Sequence, residues 1–532
     1  MNHLVIAPIL LPLLAGIVHL FGRHLAYSWR RGFSYAVVLG QIALAAALLR
    51  EVSDGDILTY ALGNWAAPFG IVLVADRLSA WMLLVTAVLA LFPLIDASRG
   101  REKSPHASLP PEGALLPPWG GPAAVDISGR HFHILYQLQL MGLNGAFLTG
   151  DLFNLFVFFE VLLLASYGLI LHGGEGRLKT RAGLHYVVLN LCGSALFLIA
   201  VGTLYGLFGT LNMADLALKV ASVPAENLGP ARAAGLLLFA VFALKAALLP
   251  LYLWLPAAYA HTSAPVAALF AIMTKVGAYS ILRVATLIFG AQAGEMQHLY
   301  EPWLLPLALA TLIIGLLGAL AAPGLRKQVA YLIVASVGTL LIAFALGSVA
   351  SIAAGLYYLP HSVFIGAALF LLADRIAWGR GEQSGQTGDR FEPAPAMTGA
   401  PLLGGLFFVG AMLAAGLPPL SGFVGKFLLL RAALEHPAWP LIMAVVLTGG
   451  LLSLIALARA GSLLFFHTPP AAAGAPAPPA LDLAALLPVI GLLLLCVGLS
   501  LAAGPIHSYA SATAEQLLQP YQYVHAVLGG RP

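Results

Sequence analysis

The sequence predicts an all-α polytopic membrane protein with about 14 transmembrane helices. Three observations predict it. Of 532 residues, 60% are hydrophobic and only 9% charged, where a soluble chain would carry about 25% charge. Mean hydropathy is +0.92. The apolar runs are continuous rather than alternating, which selects helices over a β-barrel.

Candidate spans lie near 4–21, 32–49, 78–95, 132–149, 152–172, 184–208, 234–255, 263–289, 303–322, 328–347, 352–373, 401–430, 440–458 and 482–503. The first 21 residues lack a basic leader and hold a full-length apolar run, so they read as a retained first helix rather than a signal peptide. The stretch 57–77 is apolar but contains Asn64, Pro68 and Asp76, and reads as an extracytoplasmic loop. The segments 96–130, 379–397 and 468–480 are rich in proline, glycine or polar residues and read as flexible cytoplasmic connections.

Basic residues sort the loops. Those after odd-numbered spans carry Arg23, Arg30, Arg31, Arg101, Lys103, Arg177, Lys179, Arg181, Arg326, Lys327, Arg375, Arg380 and Arg390, among others. Those after even-numbered spans carry few, such as Arg50, Arg77, Lys219, Arg232 and Arg431. Basic loops favour the cytoplasm, so both termini are expected outside.

Several classes are excluded. Cys192 and Cys496 both lie in apolar runs and suit neither a disulfide framework nor a metal cluster. The formal charge of +4 comes without a basic block, so nucleic acid is not an expected partner. Gly425-Lys426 lacks the rest of a phosphate-binding loop, and no GxGxxG or HExxH pattern occurs in a fitting context. No cofactor is expected.

The stretch from Leu236 to Thr286 is the centre of the chain. It holds Lys245 and Lys275, each near the middle of an apolar run. A lysine at bilayer depth costs roughly 2.5–3.5 kcal/mol on insertion scales. Pro250 and Pro256 cannot donate to the carbonyls of Ala246 and Tyr252. Such breaks are tolerated in lipid only where protein or water satisfies the freed groups. Elsewhere, Glu160 sits roughly 12 Å into span five. His361 follows Pro360 in span eleven, and Lys426 shares span twelve with the break Leu417-Pro418-Pro419.

Each of these has a plainer reading. A lone lysine can be a structural ion pair or can snorkel. His361 can be a hydrogen-bonded core histidine, and Lys426 can serve only the carbonyls of a broken helix. Asp151, at the turn into span five, most simply caps that helix. His261, read as lying at a helix start, can cap or contact a loop. His185 and Asn190 have weaker claims. Taken together the set points to proton movement. A Glu160 carboxylate paired with Lys245 would hold that lysine charged, and separating them would release its proton. Lysine suits this better than arginine, which stays charged. His361 would add a group titrating near neutral pH.

At these residues the chain resembles a known family. The runs LMGLNGAFLTGDLFNLFVFFEVLLLASYGLILHGG, RAGLHYVVLNLCGSALFLIAVGTLYGLFGTLNMADLA, FALKAALLPLYLWLPAAYAHTSAPVAALFAIMTKVGAY and LYYLPHSVFIGAALFLLAD are similar to the D-type component of the multi-subunit Mrp-type (Pha or Sha) cation/proton antiporters. The wider superfamily includes antiporter-like subunits of respiratory complex I and of membrane-bound hydrogenases. The resemblance implies two inverted five-helix repeats with discontinuous helices 7 and 12. Residues 1–130 would hold helices 1–3 and a proline-rich loop, 131–289 the first repeat, 290–466 the second, and 467–532 a linker, helix 14 and a tail.

The same resemblance implies that Glu160, Lys245, Lys275, His361 and Lys426 form the proton relay. It implies a bacterial inner-membrane hetero-oligomer with other antiporter subunits, exchanging Na⁺ or K⁺ for protons, hence a secondary transporter and not an enzyme. The alternative is a proton-pumping subunit of NADH-quinone oxidoreductase or a hydrogenase; Lys426 in place of glutamate in span twelve argues against one such subunit. One departure from the family is the third span, which ends at Pro93-Leu94-Ile95-Asp96 and runs into a long proline-rich segment, so that helix is expected to be truncated or locally altered.

Overall fold

A computed structural model describes residues 3–100, 123–171, 177–380, 388–470 and 480–529, with backbone alone at 23, 99–100 and 123–130. Helices occupy all the stretches that the apolar runs mark. They are α1 (Ala7–Phe21), α2 (Tyr27–Val52), α3 (Arg77–Gly100), α4 (Ala123–Leu148), α5 (Leu152–Leu171) and α6 (Arg177–Phe208), then a short α7 (Met213–Val220). Next come α8 (Leu228–Ala246), α9 (Trp254–His261), α10 (Ala264–Leu269), α11 (Met273–Leu287), α12 (Glu301–Ala321), α13 (Leu325–Ala345) and α14 (Val349–Gly379). The rest are α15 (Ala400–Ala415), α16 (Ser421–Ala433), α17 (Trp439–Gly461), α18 (Leu487–Leu501), α19 (Ala503–Leu517) and α20 (Pro520–Leu528). Among the described residues, eleven helical stretches are long and apolar enough to cross a membrane.

Burial grades the helices from centre to rim. The apolar window of α14 is buried on every side, and α10–α11 and α13 nearly so, whereas α2, α6, α17 and α18 expose most of theirs. A helix apolar all round belongs in the middle of a bundle. α14 is the centre here: it touches α10, α13, α15, α16, α18 and α19.

Two spans are broken. α8 ends at Ala246 with Ala247 in the left-handed region (φ 60°), and α9 begins at Trp254. α15 ends at Ala415 with Gly416 in the left-handed region (φ 81°), and α16 begins at Ser421. Pro250 and Pro419 fall inside the two gaps. Pro256 does not break the chain as expected from sequence. It lies in the first turn of α9, where the backbone N–H would have no intrahelical partner anyway. The groups freed at the first gap are taken up by protein. Trp254 Nε1 donates to Leu244 O at 3.0 Å, and Leu249 N donates to Thr311 Oγ1 at 2.9 Å.

Other expectations need correction. The stretch 57–77 is not plain loop: Leu58–Ala61 (β1) and Val72–Ala75 (β2) form an antiparallel hairpin, Leu58 opposite Ala75 and Ala61 opposite Val72. Gly150 N donates to Val72 O at 2.9 Å, which ties the hairpin to the α4–α5 turn. The third helix is not truncated. α3 runs through Pro93 to Gly100, and Asp96 meets Arg375 of α14 at 2.8 Å. The proline-rich residues 101–122 lie outside the described residues, as do 381–387 and 471–479. Of the connection 379–397, residues 388–391 are anchored: Leu325 N donates to Asp389 O and Phe391 N to Pro323 O. The tail beyond span fourteen is helical, and Tyr509, Gln516 and Tyr523 of α19 and α20 pack over the start of α3 and the end of α11.

Candidate functional site

The five ionisable candidates come from five helical segments. Glu160 lies in α5, half-buried, and its carboxylate accepts a short hydrogen bond from Ser194 Oγ of α6. Lys245 lies in the last turn of α8 and is 4% exposed. Its ammonium donates to Asn190 Oδ1 at 3.2 Å and to Asn190 O at 3.4 Å, and sits 5.9 Å from the Phe159 ring centre.

The expected direct pair between Glu160 and Lys245 is therefore not formed. Among the described residues no carboxylate lies within 4.0 Å of Lys245, although Glu160 acts on it through space. Asn190 and Ser194 stand between them, four residues apart on one face of α6. Gly193 lies on the same side; a Cβ there would come within 3.8 Å of Lys245 Nζ. The carboxylate and the ammonium are thus joined by one turn of α6 rather than by contact.

The helices that carry Lys245 and Lys275 are held close by a second glycine. Gly277 of α11 packs directly on the backbone of Lys245 and Ala246, where a Cβ would overlap main-chain atoms. This close approach sets α8 against α11 at the level of the two lysines. Lys275 is fully buried and donates to Ser336 Oγ of α13 at 2.9 Å.

Ser336 opens onto a cavity of about 50 Å³, room for a few waters at ~10–15 Å³ each. Thr339, Tyr358, His361, Ser362, Lys426 and Ser453 also line it. Lys426 donates to Ala415 O at 2.8 Å across the second gap. His361 Nδ1 lies 2.8 Å from Ser421 Oγ at the start of α16, and the Leu413 carbonyl of α15 is also its partner. His361 is thus a hydrogen-bonded buried histidine and Lys426 serves a carbonyl at the helix break, and both also border the cavity onto which Lys275's partner opens.

Two candidates lie apart from this line. Asp151 caps α5, its Oδ1 accepting from Asn154 N at 2.8 Å. Burial pushes its carboxyl up, and the Asn154 and Phe153 N–H groups offset part of that. His261 is the last residue of α9, not a helix start, and its charged neighbours are Lys327, Asp389 and Arg326.

Comparison with known proteins adds the lineage. The family described as NADH:quinone oxidoreductase/Mrp antiporter, TM, matches residues 149–452, which contain Glu160, Lys245, Lys275, His361 and Lys426. The chain belongs to this family. A relative from Rhizobium meliloti, the D-type component of a probable K(+)/H(+) antiporter, is 38% identical over 558 aligned positions, covering 99% of this chain and 98% of that one. The D-type component of the Na(+)/H(+) antiporter of Alkalihalophilus pseudofirmus is 37% identical, covering 99% of this chain and 100% of the other. Among solved structures, a chain of the Mrp complex from a Dietzia species superposes with a TM-score of 0.82 at 29% identity, over 99% of this chain and 100% of that chain.

Sequence reasoning missed the neutral members of the line. Ser194, Ser336 and Ser421 look like ordinary helix hydroxyls, and Asn190 carried little weight. The four-residue spacing of Asn190 and Ser194 was the one available signal. The pair Asp76–Arg283 was also missed. Its bonds of 2.6 and 2.8 Å clamp the start of α3 to α11, two turns beyond Lys275.

Proposed function

We propose that this chain is the proton-translocating subunit of a multi-subunit Na⁺ or K⁺/H⁺ antiporter, a secondary transporter and not an enzyme. The observation that carries the reading is the line itself: Glu160–Ser194, Asn190–Lys245, Lys275–Ser336, then a polar cavity ending at Lys426 and His361. Burying these charges is expensive in lipid, and they lie inward, next to hydroxyls, an amide and space for water. Such a chain passes protons sideways through the bundle: each lysine takes a proton when the preceding neighbour favours its charge and gives it up when that neighbour moves.

The antiporter names of relatives matching over nearly the full length support the transport reading. In it the bundle is two inverted five-helix repeats, 131–289 and 290–466, within about 14 spans. The two proline-containing gaps favour this, since discontinuous helices occur at corresponding places in repeat-built transporters. Both termini face outward and the basic loops face the cytoplasm of a bacterial cell. Na⁺ and K⁺ are both carried forward from the relatives' names.

The test uses the complete complex in vesicles. A pH gradient is set up, and its dissipation on adding Na⁺ and then K⁺ is measured. Dissipation by one or both ions is expected. A complex of intact composition that responds to neither would overturn the reading, and a quinone-dependent gradient would favour a redox-driven pump instead.

A further inference from the structure

A second polar group lies outside the lysine line, where α1, α2 and α4 meet. Ser34 Oγ of α2 is 2.9 Å from His19 Nε2 of α1 and 2.9 Å from His133 Nδ1 of α4. The two imidazoles stack, with centroids 5.4 Å apart. His19, Ser34 and His133 are each at most 1% exposed. One turn along α4 from His133 is Gln137, whose Cβ faces Gly16 of α1, one turn from His19. Gln137 is fully buried, and among the described residues neither end of its amide has a protein partner; His19 Nδ1 has none either. Around the two imidazoles lie Arg30, which acts on His19, the rings of Trp29 and Phe33 of α2 against His19, and those of Tyr27 of α2 and Phe132 of α4 against His133.

A different polar group further along the same seam has a complete structural explanation. Pro12 lacks an N–H, so it leaves the Pro8 carbonyl free. Gln41 Nε2 and Asn144 Nδ2 fill that carbonyl at 3.0 and 2.8 Å, and Asn144 also donates to Gln41 Oε1 at 3.1 Å. The Gln137 amide and His19 Nδ1 have no such closure among the described residues. A buried amide with both ends unmet is costly unless water fills it. Water beside two imidazoles joined by a hydroxyl makes a proton wire.

We infer that His19, Ser34, His133 and Gln137 form a hydrated proton relay at the end of the bundle bearing the basic loops, feeding the lysine line. The transfer balances without a stored charge. Water gives a proton to His19 Nδ1, and the Nε2 proton passes to Ser34 Oγ. The Ser34 hydroxyl proton passes to His133 Nδ1, and the proton on His133 Nε2 leaves to water held by Gln137. The next polar residue on α4, Gln139, points the way onward: its Nε2 is 2.9 Å from Met273 Sδ, two residues before Lys275 in α11. The relay rests on the transport reading proposed above.

The test compares proton movement by the complete complex carrying Gln137→Leu, Ser34→Ala or Ser34→Thr. Gln137→Leu keeps the bulk and removes the amide; Ser34→Ala removes the hydroxyl that links the rings. Each should slow cation-driven proton movement at least tenfold in assembled complex, while Ser34→Thr, which keeps the hydroxyl, should recover most of the rate. If one variant fails to assemble, the other decides. An active parent complex with undiminished Gln137→Leu or Ser34→Ala variants overturns the relay alone. An inert parent complex overturns the transport reading beneath it.

Discussion

Lys426 Nζ lies 2.8 Å from the carbonyl of Ala415, so a lysine on the second half of a broken span holds the end of the first. The carbonyl end of a helix carries partial negative charge, and a cation there is stabilising. The same ammonium borders the cavity that reaches Ser336. Charge and architecture are coupled at this residue, and a substitution can separate them. Lys426→Arg keeps a cation at the gap but cannot give up its proton. The complex should assemble normally and lose cation-driven proton movement. Gradient dissipation, read beside the amount of assembled complex on a native gel, checks this.

Gly277 sets the approach of α11 to the backbone of α8 at Lys245. Because a Cβ would run into the backbone of Lys245 and Ala246, Gly277→Val must push α8 and α11 apart. Overpacking of this kind costs typically ~1–3 kcal/mol. The expected result is a lower unfolding temperature together with a loss of exchange larger than the stability change explains. Thermal unfolding in detergent and transport in vesicles, measured on the same preparation, check it.

Asn190 is the partner that Lys245 uses in place of a carboxylate. Asn190→Leu removes the amide-oxygen bond to the ammonium and leaves only the longer one to the residue-190 backbone carbonyl, a loss of ~1.5–3 kcal/mol for a bond to a charged group. Exchange should fall by about tenfold or more, the rate equivalent of ~1.4 kcal/mol. Asn190→Asp, which supplies a negative charge in the same place, should trap the lysine as a cation and also slow exchange. The two variants fail from opposite directions, and their pH–rate profiles should shift in opposite senses.

The Asp76–Arg283 pair is buried, with side chains 2% and 6% exposed. Removing one partner of a buried pair costs about 3–5 kcal/mol. Asp76→Asn should therefore destabilise the C-terminal end of α11 and loosen α19, whose Tyr509 and Gln516 bond the neighbouring Arg77, and with it α20. Hydrogen exchange of the C-terminal helices is the direct readout, and faster exchange there is expected.

Much of the architecture could be read from the chain. Long apolar runs mark membrane helices because lipid admits little else, and Pro250 and Pro418-Pro419 mark the two gaps. The charged members of the line stood out because each is costly where it sits. What remained hidden follows the same physics. Pro256 looked like a breaker because position within a helix, not residue type, decides whether the missing N–H matters. The hairpin at Leu58–Ala61 and Val72–Ala75 has strands of four residues, too short for alternation to declare itself. Ser194 and Ser336 were silent because helix hydroxyls commonly bond their own backbone, as Ser336 does to Ile333 O. Asp76 and Arg283 are 207 residues apart, with no local pattern to link them.

The most direct measurement is the proton flux of the complete complex with Lys245 changed to alanine, beside the parent, at equal assembled amounts. A proton line through the bundle predicts that flux driven by Na⁺ or K⁺ disappears while assembly stays intact. Parent-level flux from the Lys245→Ala complex would contradict it.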